Sequence, residues 1–179
     1  LQTLRNEHPD VCIAAITNGI GNPLDMANTL EPFFEFCVSG EDDDVFPNRK
    51  PHAGIYERAL KRYESLYPHH FQEAQDSTSS SSIDRIWCHV GDCLANDVGA
   101  SASCGAYAVW MYTEASLPLA TGSKVPLWST ASDSDIEKRA ELSNQGKEKV
   151  AVRISSLSEL VSAIDELLQG VSAEQDVGI

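Results

Sequence analysis

Positive charge is scarce in this sequence: 13 Lys and Arg stand against 27 Asp and Glu, a formal net charge of −14. A surface of that sign repels phosphate backbones and carries no basic stripe, so a nucleic-acid partner is excluded. Any site for a phosphate ester must then be built locally, from a lysine, backbone N–H groups and a metal. Long apolar runs are also missing. None approaches the roughly 20 residues that cross a bilayer, so no membrane partner is expected. Residues Leu1 to Asp10 lack the apolar stretch of a signal peptide. No CxxC pair occurs among Cys12, Cys37, Cys88, Cys93 and Cys104, and five is an odd number. Reduced core thiols in an intracellular protein, cytoplasmic or organellar, are the expectation.

What is present is a chain of 179 residues with a hydrophobic share of 42%, enough for one domain with a real core. Val11 to Ile16 is a continuous apolar run of strand length, ended by Thr17-Asn18-Gly19, and Phe33 to Val38 is a second. Ile86 to Val90, Ala106 to Tyr112 and Val150 to Ile154 read as three more. Between them fall helical stretches. One lies near Pro23 to Leu30, with Pro23 in its first turn. A second runs from Pro51 to about Leu66, with Ile55, Ala59, Leu60 and Tyr63 at helical spacing. A third covers Leu94 to Cys104. The last has a capping box, Ser156 to Glu159, and a stripe of Leu157, Leu160, Val161, Ile164 and Leu168. Residues 72–83 read as a polar, serine-rich loop. Residues 113–149 read as a long polar insertion without periodicity, open to disorder. Alternation of strand and helix predicts an α/β fold: a Rossmann-like, mostly parallel sheet with flanking helices. Ligands of such sheets sit beyond the carboxyl ends of the strands.

Residues with chemistry fall at those ends. Asp92 and Asp97 flank a strand-to-helix turn, Gly91-Asp92-Cys93-Leu94-Ala95-Asn96-Asp97. Two carboxylates there suit Mg²⁺, which takes hard oxygen ligands; the plainer reading is a turn with Asp97 favoured by the helix dipole. Thr17 and Asn18 offer a hydroxyl and successive backbone N–H groups to a phosphate, or else form an ordinary Asn-Gly turn. Lys50, ahead of Pro51, can neutralise a transferring phosphoryl group, although a lone lysine at a loop end is commonly solvated. His52, beside it, is a candidate to touch substrate. Trp87 and Trp110 are core candidates.

The order Thr17, Lys50, Asp92/Asp97 resembles the second, third and fourth motifs of the haloacid-dehalogenase superfamily, over about Val11 to Tyr112. The wording of Ala15-Ile-Thr-Asn-Gly19, Phe34-Glu-Phe36, Ser39-Gly-Glu41, Lys50-Pro51, His89-Val-Gly-Asp92 and Asn96-Asp-Val-Gly-Ala100 is similar to one phosphatase branch. That branch acts on flavin mononucleotide and on 5-amino-6-(5-phospho-D-ribitylamino)uracil, a riboflavin precursor. The resemblance implies a Mg²⁺-dependent phosphomonoesterase acting on a small phosphorylated metabolite through an aspartyl-phosphate. Thr17 and Asn18 would bind phosphoryl oxygens. Lys50 would steady the charge on nucleophile and phosphate. Asp92 would ligate Mg²⁺, with Asp97 bonding through water or to Lys50.

The superfamily's first motif, an apolar strand ending in an Asp-x-Asp whose first aspartate is the nucleophile, does not precede Thr17. The run Glu41 to Asp44 lies after the second strand and reads as a solvated loop. In the superfamily the missing strand lies between those preceding Thr17 and Asp92, and a helical cap follows it. The expectation is therefore an incomplete core, the C-terminal portion of the enzyme, inactive by itself. The same residues allow two other readings. A chain with phosphate and metal motifs but no nucleophile could be a non-catalytic binding or regulatory module. Gly19-Ile-Gly21 hints at a dinucleotide turn, with Leu24 where a third glycine belongs.

Overall fold

A computed structural model of the chain describes residues 1–72, 85–112 and 133–176. The chain divides into two compact units, Leu1–Arg85 and Ile86–Ile179. Each is a short parallel sheet with flanking helices, so the class is α/β as the alternation predicts. Among the described residues the strands form two sheets, of two and three strands, rather than one.

In the first unit, α1 (Gln2–Glu7) precedes β1 (Ala14–Thr17), which pairs in parallel with β2 (Phe36–Ser39) from Ala14 opposite Phe36 to Thr17 opposite Ser39. Arg5 on α1 secures the entry to both strands. Its guanidinium donates to the carbonyls of Val11 (3.1 Å) and Phe33 (2.8 Å) and pairs with Glu35, whose other oxygen takes the Ile13 N–H at 2.7 Å. Helix α2 (Ala53–Leu66) covers both strands with Ile55, Tyr56 and Ala59 buried. Leu60, expected on that face, is 36% exposed. A short α3 (His69–Gln72) follows, and the Tyr63 hydroxyl on α2 lies 2.8 Å from His70 Nδ1.

The helix expected over Pro23 to Leu30 does not form. Two single 3₁₀ turns, Pro23–Asp25 and Glu31–Phe33, take its place. Asn22 caps the first turn by accepting from the Leu24 N–H, and Asn28 sits at φ +64°, a conformation asparagine tolerates and a helix does not. Pro32 then removes a donor that a continuing helix would need.

In the second unit, β3 (Cys88–Gly91), β4 (Tyr107–Met111) and β5 (Val150–Ile154) form a parallel sheet in that order, with a register irregularity at Ala108/Val109. Leu94 and Val98 pack with Ala108 and Trp110 as its core. Ser156 accepts from the Ser158 N–H and opens a 3₁₀ turn, Leu157–Glu159. Glu159 accepts from the hydroxyl and N–H of Ser155 and, more weakly, from the Ser156 N–H, so the acidic half of the expected capping box forms and extends to Ser155. The last helix starts at Leu160 and buries Leu160 and Ala163, while Leu157 stays 60% exposed.

After the short α4 (Ala100–Ser103), and inside the stretch read as a polar insertion, Asp133–Glu148 is a helix, α5; the last helix, Leu160–Asp176, is therefore α6. Residues 113–132, and almost all of the 72–83 loop, lie outside the described residues. Among the described residues no helix is long and apolar enough to cross a membrane.

Candidate functional site

Thr17, Asn18 and Lys50 belong to the first unit, and the fold joins them. Strand β1 ends at Thr17, and the chain turns because Thr17 Oγ1 accepts the Gly19 N–H at 3.1 Å. Gly40, past the end of β2, donates to the Thr17 carbonyl at 2.7 Å. Ser39 Oγ donates to the Gly19 carbonyl at 2.8 Å, so the end of β2 braces the loop that leaves β1. Asn18 then reaches 32 positions along the chain. Its Nδ2 donates to the Lys50 carbonyl (2.9 Å) and its Oδ1 accepts the Lys50 N–H (2.8 Å). One side chain thus satisfies both backbone groups of the lysine, as a neighbouring strand would.

Several neighbours of this loop are structural. His52 caps α2, its Nδ1 accepting the Gly54 N–H at 3.0 Å. The run Glu41 to Asp44 is the solvated loop expected, exposed at Glu41, Asp43 and Asp44 and pinned by side-chain bonds. Glu41 pairs with Arg49, Asp44 pairs with Arg58, and Asp42 Oδ2 accepts the Ser39 N–H at 3.0 Å. A cleft of about 260 Å³ opens beside the loop, lined by Ile20, Asn22, Asp25, Ser39, Glu41 and Asp42 among others. Burial, with the Asp42 carboxylate next, raises the Cys37 thiol there. No α-helix starts after Gly19-Ile-Gly21, so the turn lacks the helix N-terminus on which a dinucleotide-binding reading depends.

Asp92 and Asp97 belong to the second unit, on the turn leaving β3. The turn is a π-helical one, Leu94–Gly99, followed by a single α turn, Ala100–Ser103. Cys93 caps it: its carbonyl accepts from Asp97 N (2.8 Å) and Val98 N (3.2 Å), and its sulfur from Asn96 N (3.4 Å). Such one-turn π insertions recur at functional sites because they re-aim a side chain. Asp97 is re-aimed inward. It is 6% exposed, its Oδ2 accepts the Cys93 N–H at 3.1 Å, and its Oδ1 lies 3.6 Å from Nε2 of buried His89. Asp92, by contrast, is exposed, and its carbonyl is held by the Trp110 indole N–H at 3.1 Å.

The two carboxylates therefore have different work. Asp97 closes the turn on itself. Asp92 leaves its carboxylate facing solvent. Among the described residues no group of three His, Cys, Asp or Glu is placed to hold a metal ion.

Sequence reasoning missed three residues here. His89, read only as packing, lies against Asp97. Ser39 braces Gly19, a contact no spacing announces. Arg139, in the supposed insertion, donates through Nη2 to Cys93 Sγ at 3.3 Å. None of the five cysteines forms a disulfide.

No protein-family model matches the chain, and no curated protein matches it.

Proposed function

We propose that the chain is the C-terminal part of a Mg²⁺-dependent phosphomonoesterase of the haloacid-dehalogenase type. Its substrate is a small phosphorylated metabolite, with flavin mononucleotide or its ribitylaminouracil precursor first in line. The observation that carries this reading is the double hydrogen bond from Asn18 to the backbone of Lys50. Besides satisfying the backbone of Lys50, the clasp fixes a lysine loop to a hydroxyl-bearing strand end 32 positions away. Phosphoryl transfer would use such an arrangement, because it depends on fixed positions for the groups that neutralise charge.

In this reading the Thr17 hydroxyl and the backbone at Asn18 hold phosphoryl oxygens. Lys50 offsets their negative charge, and Asp92 ligates the ion. Bound Mg²⁺ would supply Lewis-acid neutralisation of the phosphoryl oxygens. The cleft bearing Asp25, Glu41 and Asp42 suits hydroxyl donors of a polyol better than a phosphate, and we assign it to the rest of the substrate. The reaction needs an aspartate to attack phosphorus, and the phospho-enzyme is then hydrolysed by water. No apolar strand ending in Asp-x-Asp stands ahead of Thr17. Among the described residues β1 is paired only with β2, and β3 only with β4, so each keeps an edge that a further strand can take.

The assay is hydrolysis of p-nitrophenyl phosphate with Mg²⁺. Residues 1–179 should give no enzymatic turnover. The same chain extended upstream to include a strand ending in Asp-x-Asp should hydrolyse the ester, and Lys50→Ala or Asp92→Ala should abolish that activity. Turnover by residues 1–179 that survives Asp92→Ala would overturn the proposal. An extended chain that binds phosphate and Mg²⁺ without turnover would favour the non-catalytic module.

A further inference from the structure

Helix α5 is mostly polar, yet one face of it is buried against the turn that carries Asp97. Arg139, Leu142, Ser143 and Gly146 fall at helical spacing on that face, with Ser143 fully buried. The approach is backbone to backbone. A Cβ on Gly146 would overlap the Leu94 carbonyl and lie 3.3 Å from Gly99 N. A Cβ on Gly99 would lie 3.1 Å from the Leu142 carbonyl and 3.2 Å from Gly146 Cα. Two glycines, one on each partner, thus permit a contact that any larger pair would hold apart. At the other end of the turn, Arg139 bonds the sulfur of Cys93, the residue whose carbonyl, sulfur and N–H together define the cap.

We propose that α5 is a brace that fixes the shape of the Asp92–Asp97 turn, with Arg139 and Gly146 as positioning residues. A π-helical turn wastes hydrogen bonds relative to an α turn and persists only where its surroundings hold it. The brace grips both ends of this one, at Cys93 and at Leu94/Gly99. Asp97, lying between those grips, keeps its carboxylate on Cys93 N, and Asp92 keeps its outward pose. The further consequence, that the brace sets Mg²⁺ affinity at Asp92, rests on the phosphatase reading; the brace itself does not.

The test uses the whole 179-residue chain and has two arms. In the first, amide hydrogen exchange is measured without metal for Arg139→Ala, Arg139→Lys, Gly146→Ala and an exposed-face control, Asn144→Ala. Exchange across Cys93 to Gly99 should rise about tenfold in Arg139→Ala and more in Gly146→Ala, with β4 amides unchanged. Arg139→Lys should recover part of the protection, and Asn144→Ala should match the parent chain. If Gly146→Ala does not fold, Arg139→Ala, at the rim of the contact, carries the arm alone. Unchanged turn amides, or a rise shared equally by β4, overturn the brace.

In the second arm the same amides are followed in a Mg²⁺ titration. The parent chain should gain protection at the turn, and Arg139→Ala should need about tenfold more Mg²⁺ for the same effect, as losses behind a metal ligand commonly do. An equal Mg²⁺ response in parent and Arg139→Ala overturns the link to affinity. A parent chain with no Mg²⁺ response counts against the metal reading of Asp92, while the first arm still decides the brace.

Discussion

The side-chain amide of Asn18 makes both backbone hydrogen bonds of Lys50, donating at 2.9 Å and accepting at 2.8 Å. At Lys50 this one side chain does the work of a neighbouring strand. Asn18→Ala leaves a partly buried N–H and C=O without their partner, and should cost about 1–3 kcal/mol in urea unfolding. Asn18→Asp keeps the acceptor and loses the donor, so it should fall between Ala and the parent. A loss below about 0.3 kcal/mol for Asn18→Ala would show that water replaces the clasp at no expense.

Gly91 and Asp97 are matched in the second unit. A Cβ at Gly91 would lie 2.7 Å from Asp97 Oδ2 and closer still to its Cβ and Cγ. Gly91→Ala should therefore push Asp97 off Cys93 N and destabilise the chain by about 1–3 kcal/mol, as overpacking does. In an Asp97→Gly background the same change should cost less, because the obstructing atoms are gone. A double-mutant cycle with no coupling would refute the contact.

Two thiols carry a pH signature. Burial raises Cys88 to about 11, and burial followed by the Glu35 charge raises Cys12 to about 11, against an ordinary 9.0. Alkylation needs the thiolate, so at pH 8 both should label about a hundredfold more slowly in the native chain than in urea. The linkage runs the same way. Between pH 9 and 11 the unfolded chain releases protons that the folded chain keeps, so stability present below pH 9 falls as pH rises through that window. Native labelling as fast as unfolded labelling would remove the premise.

Ser143 is fully buried on α5, and its hydroxyl makes no hydrogen bond among the described residues. Removing an unsatisfied hydroxyl lifts a desolvation penalty, and alanine is the better helix former. Ser143→Ala should be neutral to stabilising, by up to about 1 kcal/mol. A clear loss of midpoint would mean the oxygen bonds something after all.

Composition and local pattern located the strands, although β1 and β2 begin at Ala14 and Phe36, later than the apolar runs that mark them. Val150 to Ile154 was legible to the residue, since a five-residue run rich in β-branched side chains between polar flanks favours a strand. Helix α2 was legible because Pro51 and the apolar spacing agree, although His52 as its cap was not. Helix α5 was invisible for a physical reason. Its buried face is made of Arg139, Ser143 and Gly146, residues that no hydrophobic period marks, and it docks by closeness rather than by apolar area.

The candidate site divides along the same line. Thr17, Asp92 and Asp97 were legible as residue types on turns that leave strands, and Lys50 as one ahead of a helix, because an α/β chain puts its polar turns there. Which of them face outward was settled in three dimensions: the π-helical turn swings Asp97 inward onto Cys93 and leaves Asp92 in water. The sequence by itself determined charge, strand composition and the order of chemistry-bearing turns, since these depend on neighbours in the chain. Only the tertiary structure decided that Asn18 clasps Lys50 and that Arg139 reaches Cys93, because those bonds join positions 32 and 46 apart, and no local pattern encodes such a distance.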